Sequence, residues 1–209
     1  MLTVEEIENY LIEINEYLKQ DDKTGEIVLA GGAVMALVYG ARGATKDIDA
    51  LFEPSSQMRE IISKIAHKHN LQGDWLNDSV KGFFTERMQP DLYKEYSNLS
   101  IYTINAEAML AMKLTSARFE SNDQEDSLFL MYYLDIKNKD QLYEIVDKYI
   151  PENRKTVNSH YFIQDTFEKY ANDHTMCNED KCCSRWNNEN TIIKMMVFNW
   201  LSIYLLEIH

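Results

Sequence analysis

The chain has 209 residues, of which 45% are hydrophobic and 26% are charged, a composition that fits one globular domain or one domain with an appendage. Its formal net charge of −13 at pH 7 argues against strong non-specific binding to nucleic acid, because such binding needs a basic face. The acidic N-terminal region has no apolar run of the secretory type, and all three cysteines lie beyond residue 176. These features argue against a disulfide-bonded secreted protein and favour a cytoplasmic one.

The N-terminal region is predicted to contain an amphipathic helix over 3–19, in which Thr3 and Glu6 fit a capping box. One face of this helix carries apolar side chains at i, i+3 and i+4 spacing, namely Ile7, Tyr10, Leu11, Ile14, Tyr17 and Leu18. A polar turn at 21–25 follows, and residues 26–30 predict a short buried strand.

Two glycines come directly after this strand. Gly31 and Gly32 allow a tight turn and close approach of the backbone to a ligand, because they carry no Cβ. Residues 33–39 are predicted to form a helix whose first N–H groups would face a phosphate. The alternative interpretation is that the glycines only connect a strand to a helix.

Two aspartates, Asp47 and Asp49, flank a single apolar residue, Ile48. In a strand the two carboxylates point to the same face while Ile48 points into the core. Adjacent carboxylates repel each other unless a cation lies between them, and hard oxygen ligands favour Mg²⁺ or Mn²⁺. The alternative is a solvated strand end with no metal.

The remainder of the chain is predicted to be mainly helical. Helices are expected over 56–69 and 73–82, a strand over 99–104, and further helices from 105 onward, over 123–134, over 138–149 and over 155–170. The sequence therefore predicts an α/β (α+β) fold, with a small mixed sheet, flanking helices and a helical C-terminal half. We divide the chain into an α/β core over 1–104, a helical region over 105–171 that completes the domain, and an appendage over 172–209.

The appendage combines a polar linker, 172–190, with an apolar segment, 191–208, which is barely long enough to cross a membrane and contains charged residues. We interpret 191–208 as a helix that docks on the domain, on a partner protein or on a second copy, rather than as a membrane anchor. His174 and the cysteines could bind zinc, although their spacing fits no common zinc finger. The alternative is that Cys177, Cys182 and Cys183 are free thiols.

The motifs resemble a known family when they are read together. They are Gly31-Gly32, then Tyr39-Gly40-Ala41-Arg42 and Thr45-Lys46-Asp47-Ile48-Asp49, then Trp75-Leu76-Asn77-Asp78, and finally Ala111-Met112-Lys113, Arg118 and Asp123-x-x-Asp126. Over roughly residues 25–150 the chain is similar to small bacterial nucleotidyltransferase-like proteins of the polymerase-β-like superfamily, which are related to abortive-infection and type IV toxin–antitoxin proteins.

The resemblance implies a metal-dependent nucleotidyltransferase that moves a nucleotide from an NTP to a hydroxyl of tRNA, a protein or a small molecule. The implied catalytic residues are Asp47, Asp49, Lys113 and Asp126, with Mg²⁺ or Mn²⁺ on the two aspartates of the Asp-x-Asp motif. The implied nucleotide-binding residues are Gly31, Gly32, Arg42 and Thr45. The acidic composition favours a protein or small-molecule acceptor, or a basic partner.

Several of these residues have simpler interpretations. Lys113 fits a surface lysine that extends its charged end to solvent, and Asp126 fits an ion pair with Arg118 or Lys113. Arg42 fits either a phosphate contact or an ion pair with Glu53. Thr45 is either a hydrogen-bonding neighbour of the metal site or only a strand residue.

The predicted strand at 99–104 lacks the third carboxylate that nucleotidyl transfer usually requires. Possible substitutes are Glu53, Asp78, Glu107 and Asp126. The missing carboxylate supports a second hypothesis, a catalytically inactive nucleotide-binding or regulatory module such as one component of a toxin–antitoxin pair. A third hypothesis is a subunit of an obligate complex that associates through 191–208.

Overall fold

The computed structural model describes residues 1–116 and 122–177, with only the backbone described for residues 174–177. The strands are β1 (Leu2–Thr3), β2 (Gly25–Ala30), β3 (Ala44–Thr45), β4 (Ile48–Glu53), β5 (Leu76–Asn77), β6 (Asp91–Glu95) and β7 (Leu99–Thr103). The helices are α1 (Val4–Gln20), α2 (Gly31–Leu37), α3 (Ser55–His69), α4 (Ala106–Ser116), α5 (Asp123–Tyr133), α6 (Lys139–Tyr149) and α7 (Val157–Cys177). The predicted α/β class is confirmed.

Five of the strands form one mixed sheet in the order β5-β4-β2-β7-β6, while β1 and β3 form a separate antiparallel pair. β2 is antiparallel to β4 and parallel to β7, and β6 is antiparallel to β7. The C-terminal end of β2 and the N-terminal end of β4 therefore lie side by side at one end of the strands, where Ala30 lies opposite Asp49. The glycine pair and the aspartate pair therefore lie close together at this end of the sheet.

α1 and α3 cover one face of the sheet over its central strands. α1 contacts β7, α3 contacts β4, and the two helices contact each other. The inward side chains of three central strands are buried at this face: Ile27, Leu29, Ile48, Ala50, Phe52, Leu99 and Ile101. The capping box of Thr3 and Glu6 at the start of α1 is confirmed by reciprocal hydrogen bonds. Burial of an amphipathic helix face against this sheet removes apolar surface from water and stabilises this half of the molecule.

The helical half is organised around α4, which contacts α5, α6 and α7. The predicted helices over 123–134 and 138–149 are confirmed to within one residue. α7 begins two residues later than predicted and extends through Cys177, across the first residues of the segment that we predicted as a linker. An aromatic contact joins the halves, since the ring of Tyr39 lies 5.1 Å from that of Tyr133 on α5.

Local sequence misled the prediction in two places. The helix predicted over 73–82 is instead the short strand β5 followed by a 3-10 turn over Ser79–Gly82, because Ile48 donates its N–H to the Trp75 carbonyl and extends the sheet. The edge strand β6 was missed because it is polar and largely exposed, so it lacks the apolar alternation of a half-buried strand.

Some predictions concern residues outside the described part of the chain. They are Arg118, Cys182, Cys183 and the segment 191–208, together with the side chains of His174 and Cys177. Among the helices that the structure describes, none is both long and apolar enough to span a bilayer.

Candidate functional site

Gly31 is held in a conformation and a space that exclude a side chain. Its φ of +62° lies in the left-handed region, and a Cβ placed on it would lie 2.8 Å from Asp49 Oδ2. Ala30 and Asp49 are direct cross-strand partners, so the backbone after β2 turns immediately beside the Asp49 carboxylate. The glycine at this position lets the main chain and the carboxylate approach each other.

Gly32 is closely packed for a different reason. A Cβ on Gly32 would overlap the Thr45 hydroxyl oxygen and would lie 3.5 Å from Arg42 Nη1. Thr45 is buried in β3, where it pairs with Leu2 of β1. Gly32 therefore brings three sequence-predicted residues into one cluster. α2 itself begins at Gly31, two residues earlier than predicted, and contains seven residues.

Asp47 and Asp49 lie beside the glycine turn, Asp47 one residue before β4 and Asp49 within it. Asp49 accepts a hydrogen bond of 3.0 Å from Ser79 Oγ. Burial and the negative charge of Asp49 raise the pKa of the Asp47 carboxyl, while Lys46 opposes the shift. In the described part of the chain neither aspartate forms an ion pair with a Lys or Arg, so their mutual repulsion is not offset by a bound side-chain cation.

A cleft opens beside Asp49 and Gly31 between the sheet edge, the 3-10 turn and the helical half. Its polar lining consists of Asp49 together with Lys113, Ser116 and Asp123 of the helical half. Its apolar wall is formed by the side chains Val80, Phe83, Met109 and Met112. The strand motif and the later helical motif, more than fifty residues apart in sequence, therefore share one cleft.

Lys113 is the central cation of a buried ion network. Its Nζ lies 3.0 Å from Asp123 Oδ1 and 2.6 Å from Asp126 Oδ2. Ser116 Oγ donates a 2.7 Å hydrogen bond to Asp123 Oδ2. The Lys113 side chain is only 9% exposed, which excludes the interpretation as a solvated surface lysine. The network joins α4 to α5 and places the Lys113 ammonium group, paired with Asp123 and Asp126, at the wall of the cleft.

Arg42 extends the same network from the segment that follows α2. Its Nη2 forms an ion pair with Asp126 Oδ1, so its partner is Asp126 rather than Glu53. Burial lowers the pKa of the Arg42 guanidinium, and the charges of Asp123 and Glu125 oppose this shift. Asp126 is 4% exposed and binds two cations, Arg42 and Lys113, behind the cleft.

Most of the substitutes considered for the third carboxylate are held elsewhere. Glu53 lies at the opposite end of β4, and its carboxylate accepts hydrogen bonds from Ser55. Asp78 pairs with Arg59 at 2.6 Å, and Glu107 pairs with Lys148 at 2.6 Å. Among the side chains that the structure describes, those of residues 1–116 and 122–173, no three His, Cys, Asp or Glu groups form a ready metal-binding group.

Asp123 is the charged residue of the described cleft lining that the sequence did not identify as a site residue. It appeared only as the first member of the Asp123-x-x-Asp126 phrase, from which we chose Asp126 as the site residue. Residues at i and i+3 lie on the same side of a helix. In the structure Asp123 lines the cleft, whereas Asp126 forms an ion pair with Arg42. The proximity of this phrase to Lys113 was the available signal.

The Trp75-Leu76-Asn77-Asp78 phrase supports the site from the far side of β4. Trp75 is a core residue whose Nε1 donates a 3.1 Å hydrogen bond to the Ile62 carbonyl. Asn77 Oδ1 accepts the N–H of Ser79 at 3.0 Å, and Ser79 in turn binds Asp49. Asn77 therefore shapes the turn that carries Ser79 to the carboxylate.

Comparison with known protein families gives one match. The family described as "Nucleotidyltransferase of unknown function (DUF6036)" matches residues 6–174. This range includes the glycine pair, the aspartate pair and every described residue that lines the cleft. No curated protein and no solved structure matches the chain.

Proposed function

Because the chain belongs to this family of nucleotidyltransferases, we propose that it transfers a nucleotide from an NTP to an acceptor hydroxyl at the cleft beside Asp49. In this reaction the acceptor oxygen bonds to the α-phosphorus, the bond to pyrophosphate breaks, and the hydroxyl proton is released. The observation that carries the proposal is the apposition of Asp49 to the Gly31 turn, with Lys113 across the same cleft.

The aspartate pair suits a divalent cation. Burial and Asp49 raise the pKa of Asp47, so a cation between the carboxylates would relieve their repulsion. Mg²⁺ is commonly held by one or two carboxylates together with substrate phosphates, so two aspartates are sufficient protein ligands. When bound, Mg²⁺ or Mn²⁺ would supply charge neutralisation at the phosphate and activation of the acceptor oxygen.

The other residues bind and position the substrate. Gly31 lines the cleft, where its backbone would face the triphosphate, and Gly32 holds the turn against Thr45, since a Cβ on Gly32 would overlap the Thr45 hydroxyl. Lys113 places a positive charge at the cleft, where it would bind phosphate oxygens. Thr45 packs against Gly32 and maintains the shape of this turn.

Asp126 and Asp123 have separate roles in this proposal. Asp126 is a positioning residue, because it fixes the orientation of both Arg42 and Lys113 from behind the cleft. Asp123 lines the cleft with Asp49 and is the described carboxylate best placed to approach an incoming hydroxyl. The acceptor classes considered from the sequence are tRNA, a protein and a small molecule.

A second candidate function is nucleotide binding without transfer, as in a regulatory component of a toxin–antitoxin pair. It is favoured by the absence, from the residues that the structure describes, of three carboxylates arranged around one position. Such a protein would bind the NTP with its cation but form no covalent product.

The test is transfer of label from α-³²P NTPs, with Mg²⁺ or Mn²⁺, to a cell lysate and to total tRNA. Wild type is compared with Asp47→Asn/Asp49→Asn and with a control, Asp91→Asn/Asp140→Asn. Asp91 lies at the same end of the strands as Asp49, but it pairs with Thr103 on the other face of the sheet. Asp140 lies on α6. The control therefore removes two charges away from the cleft.

We expect a labelled product with wild type and the control and at least a ~100-fold lower rate with the Asp47/Asp49 variant. Equal rates for the two variants would overturn the assignment of the aspartates. NTP binding by wild type without a labelled product in either acceptor mixture would favour the second candidate function.

A further inference from the structure

We propose that the open face of the five-stranded sheet binds a cationic polypeptide and presents a hydroxyl side chain of that polypeptide to the cleft. The inference deepens the proposed function, on which it rests, by assigning the acceptor to a class. It begins from the two faces of the sheet, of which one is buried under α1 and α3 and the other is partly exposed.

The open face carries three parallel rows of side chains, because directly paired residues of neighbouring strands share a face. The row nearest the cleft contains Asp49 and Ala30. The next, the apolar row, contains the paired residues Leu51, Val28, Tyr102 and Leu92. The third, the acidic row, contains Glu53, Glu26, Ser100 and Glu95.

The apolar row is incompletely covered. Val28, Leu51 and Tyr102 are each half-buried, and Leu92 is 56% exposed, whereas Ile27 and Leu29 on the opposite face are fully buried. Docking of another chain on a sheet face that leaves apolar side chains in contact with water is favourable, because it removes those side chains from water.

The acidic row favours a partner chain with positive charge. Its three glutamates are exposed, and Glu26 lies directly opposite Glu53, a like-charge arrangement that destabilises a sheet unless a cation is present. In the described part of the chain neither Glu26 nor Glu95 has an ion pair. A cavity of about 560 Å³ is lined by all three glutamates and, among the described residues, by no Lys or Arg.

The dimensions fit a peptide. From Asp49 to Glu53 the strand rises about 13 Å, and the four-strand acidic row spans about 14 Å, so both distances equal a few extended residues. A chain that crosses the apolar row would place Lys or Arg side chains against the acidic row and a Ser, Thr or Tyr hydroxyl beside Asp49. The same row would repel the phosphates of an RNA.

The first experiment measures binding of a fluorescein-labelled peptide of alternating Lys and Ser, about ten residues long, by anisotropy with the full chain. The test variant is Glu26→Gln/Glu53→Gln/Glu95→Gln. The matched control is Glu60→Gln/Glu144→Gln/Glu168→Gln, which removes three charges at exposed helix positions outside this face. A single-stranded RNA of equal length is measured in parallel.

We expect the peptide affinity to fall at least about tenfold in the test variant and less than about twofold in the control. Equal losses in both variants would show attraction to net charge alone and would overturn the proposal. Tighter binding of the RNA than of the peptide would also overturn it. Concentration-dependent self-association that only the test variant abolishes would assign the face to a second copy instead.

Transfer of label from an NTP to the peptide is the separate measurement. In this step a Ser oxygen bonds to the α-phosphorus, the bond to pyrophosphate breaks, and the hydroxyl proton is released to solvent. Asp47→Asn/Asp49→Asn is expected to lose transfer and to keep peptide binding. If wild type labels an acceptor in the lysate or tRNA but does not label the bound peptide, the acceptor assignment is overturned and the proposed function stands. If wild type labels none of the three, the proposed function is overturned as well.

Discussion

Two pairs of aspartates in this protein occupy opposite electrostatic surroundings. Asp123 and Asp126, three residues apart on a helix, are bound by Lys113, and Asp126 also by Arg42. Asp47 and Asp49, two residues apart at a strand, have no cationic side-chain partner within the described residues, and Asp49 is bound only by the Ser79 hydroxyl. Removal of a carboxylate that binds buried cations leaves those cations unpaired and destabilises the fold, whereas carboxylates left to repel each other provide a place for an external cation.

The first prediction concerns the neutralised pair and has the largest expected effect. Asp126→Ala leaves Arg42 and Lys113 with one carboxylate fewer in a buried site, so we expect a loss of about 3–5 kcal/mol in the free energy of unfolding. Urea denaturation measures this loss. The control Asp78→Ala breaks an exposed ion pair with Arg59 and should cost about 0–1 kcal/mol. Equal costs would show that burial does not distinguish the two pairs.

The second prediction concerns the unneutralised pair. An NTP with Mg²⁺ at about 100 times its Kd should stabilise the wild-type protein by about 2.7 kcal/mol through linkage. Asp47→Asn/Asp49→Asn should lose most of this stabilisation, because it removes the charges proposed to hold the cation. Thermal unfolding with and without the ligand measures the effect. Full stabilisation of the double variant would exclude the aspartates from nucleotide binding.

The third prediction tests whether packing at Gly32 couples the glycine turn to the ion network of Arg42 and Asp126. Gly32→Ala places a methyl group against Thr45 and near Arg42, the partner of Asp126, so we expect a loss of about 1–3 kcal/mol in stability. Adding Thr45→Ala should recover part of the loss, since it removes the overlapping hydroxyl. Strictly additive losses in the double variant would mean that this contact does not limit the packing.

The fourth prediction has the smallest effect and concerns pH. Because the pKa of Asp47 is raised in the folded protein, the unfolded chain releases this proton first. The contribution of Asp47 to stability therefore falls as pH rises from its ordinary pKa through the folded-state value, and it is constant above that. Asp49→Asn removes the like charge and should reduce this fall, with stability at neutral pH within about 1 kcal/mol of wild type.

Urea unfolding of wild type and Asp49→Asn between mildly acidic and neutral pH, together with NMR titration of the Asp47 carboxyl, checks this prediction. An unchanged Asp47 titration in Asp49→Asn would mean that burial and the charge of Asp74, without that of Asp49, raise its pKa.

The sequence by itself determined the parts of the fold that depend on short-range pattern. The capping box of Thr3 and Glu6, the period of α1 and the strand–glycine–strand order around Gly31 are local properties of the chain, and the structure confirms them. The spacing of Asp47 and Asp49 predicted two carboxylates on one strand face; Asp47 lies one residue before β4, but the charge of Asp49 does raise the pKa of Asp47.

Only the tertiary structure decided which distant residues meet. The partner of Arg42 depends on how α5 packs against the segment after α2, and the sequence had suggested a phosphate or Glu53 rather than Asp126. The cleft position of Asp123 and the rows of the open sheet face depend on helix docking and strand order for the same reason. Such contacts are set by burial of side chains far apart in the chain, which no local pattern encodes.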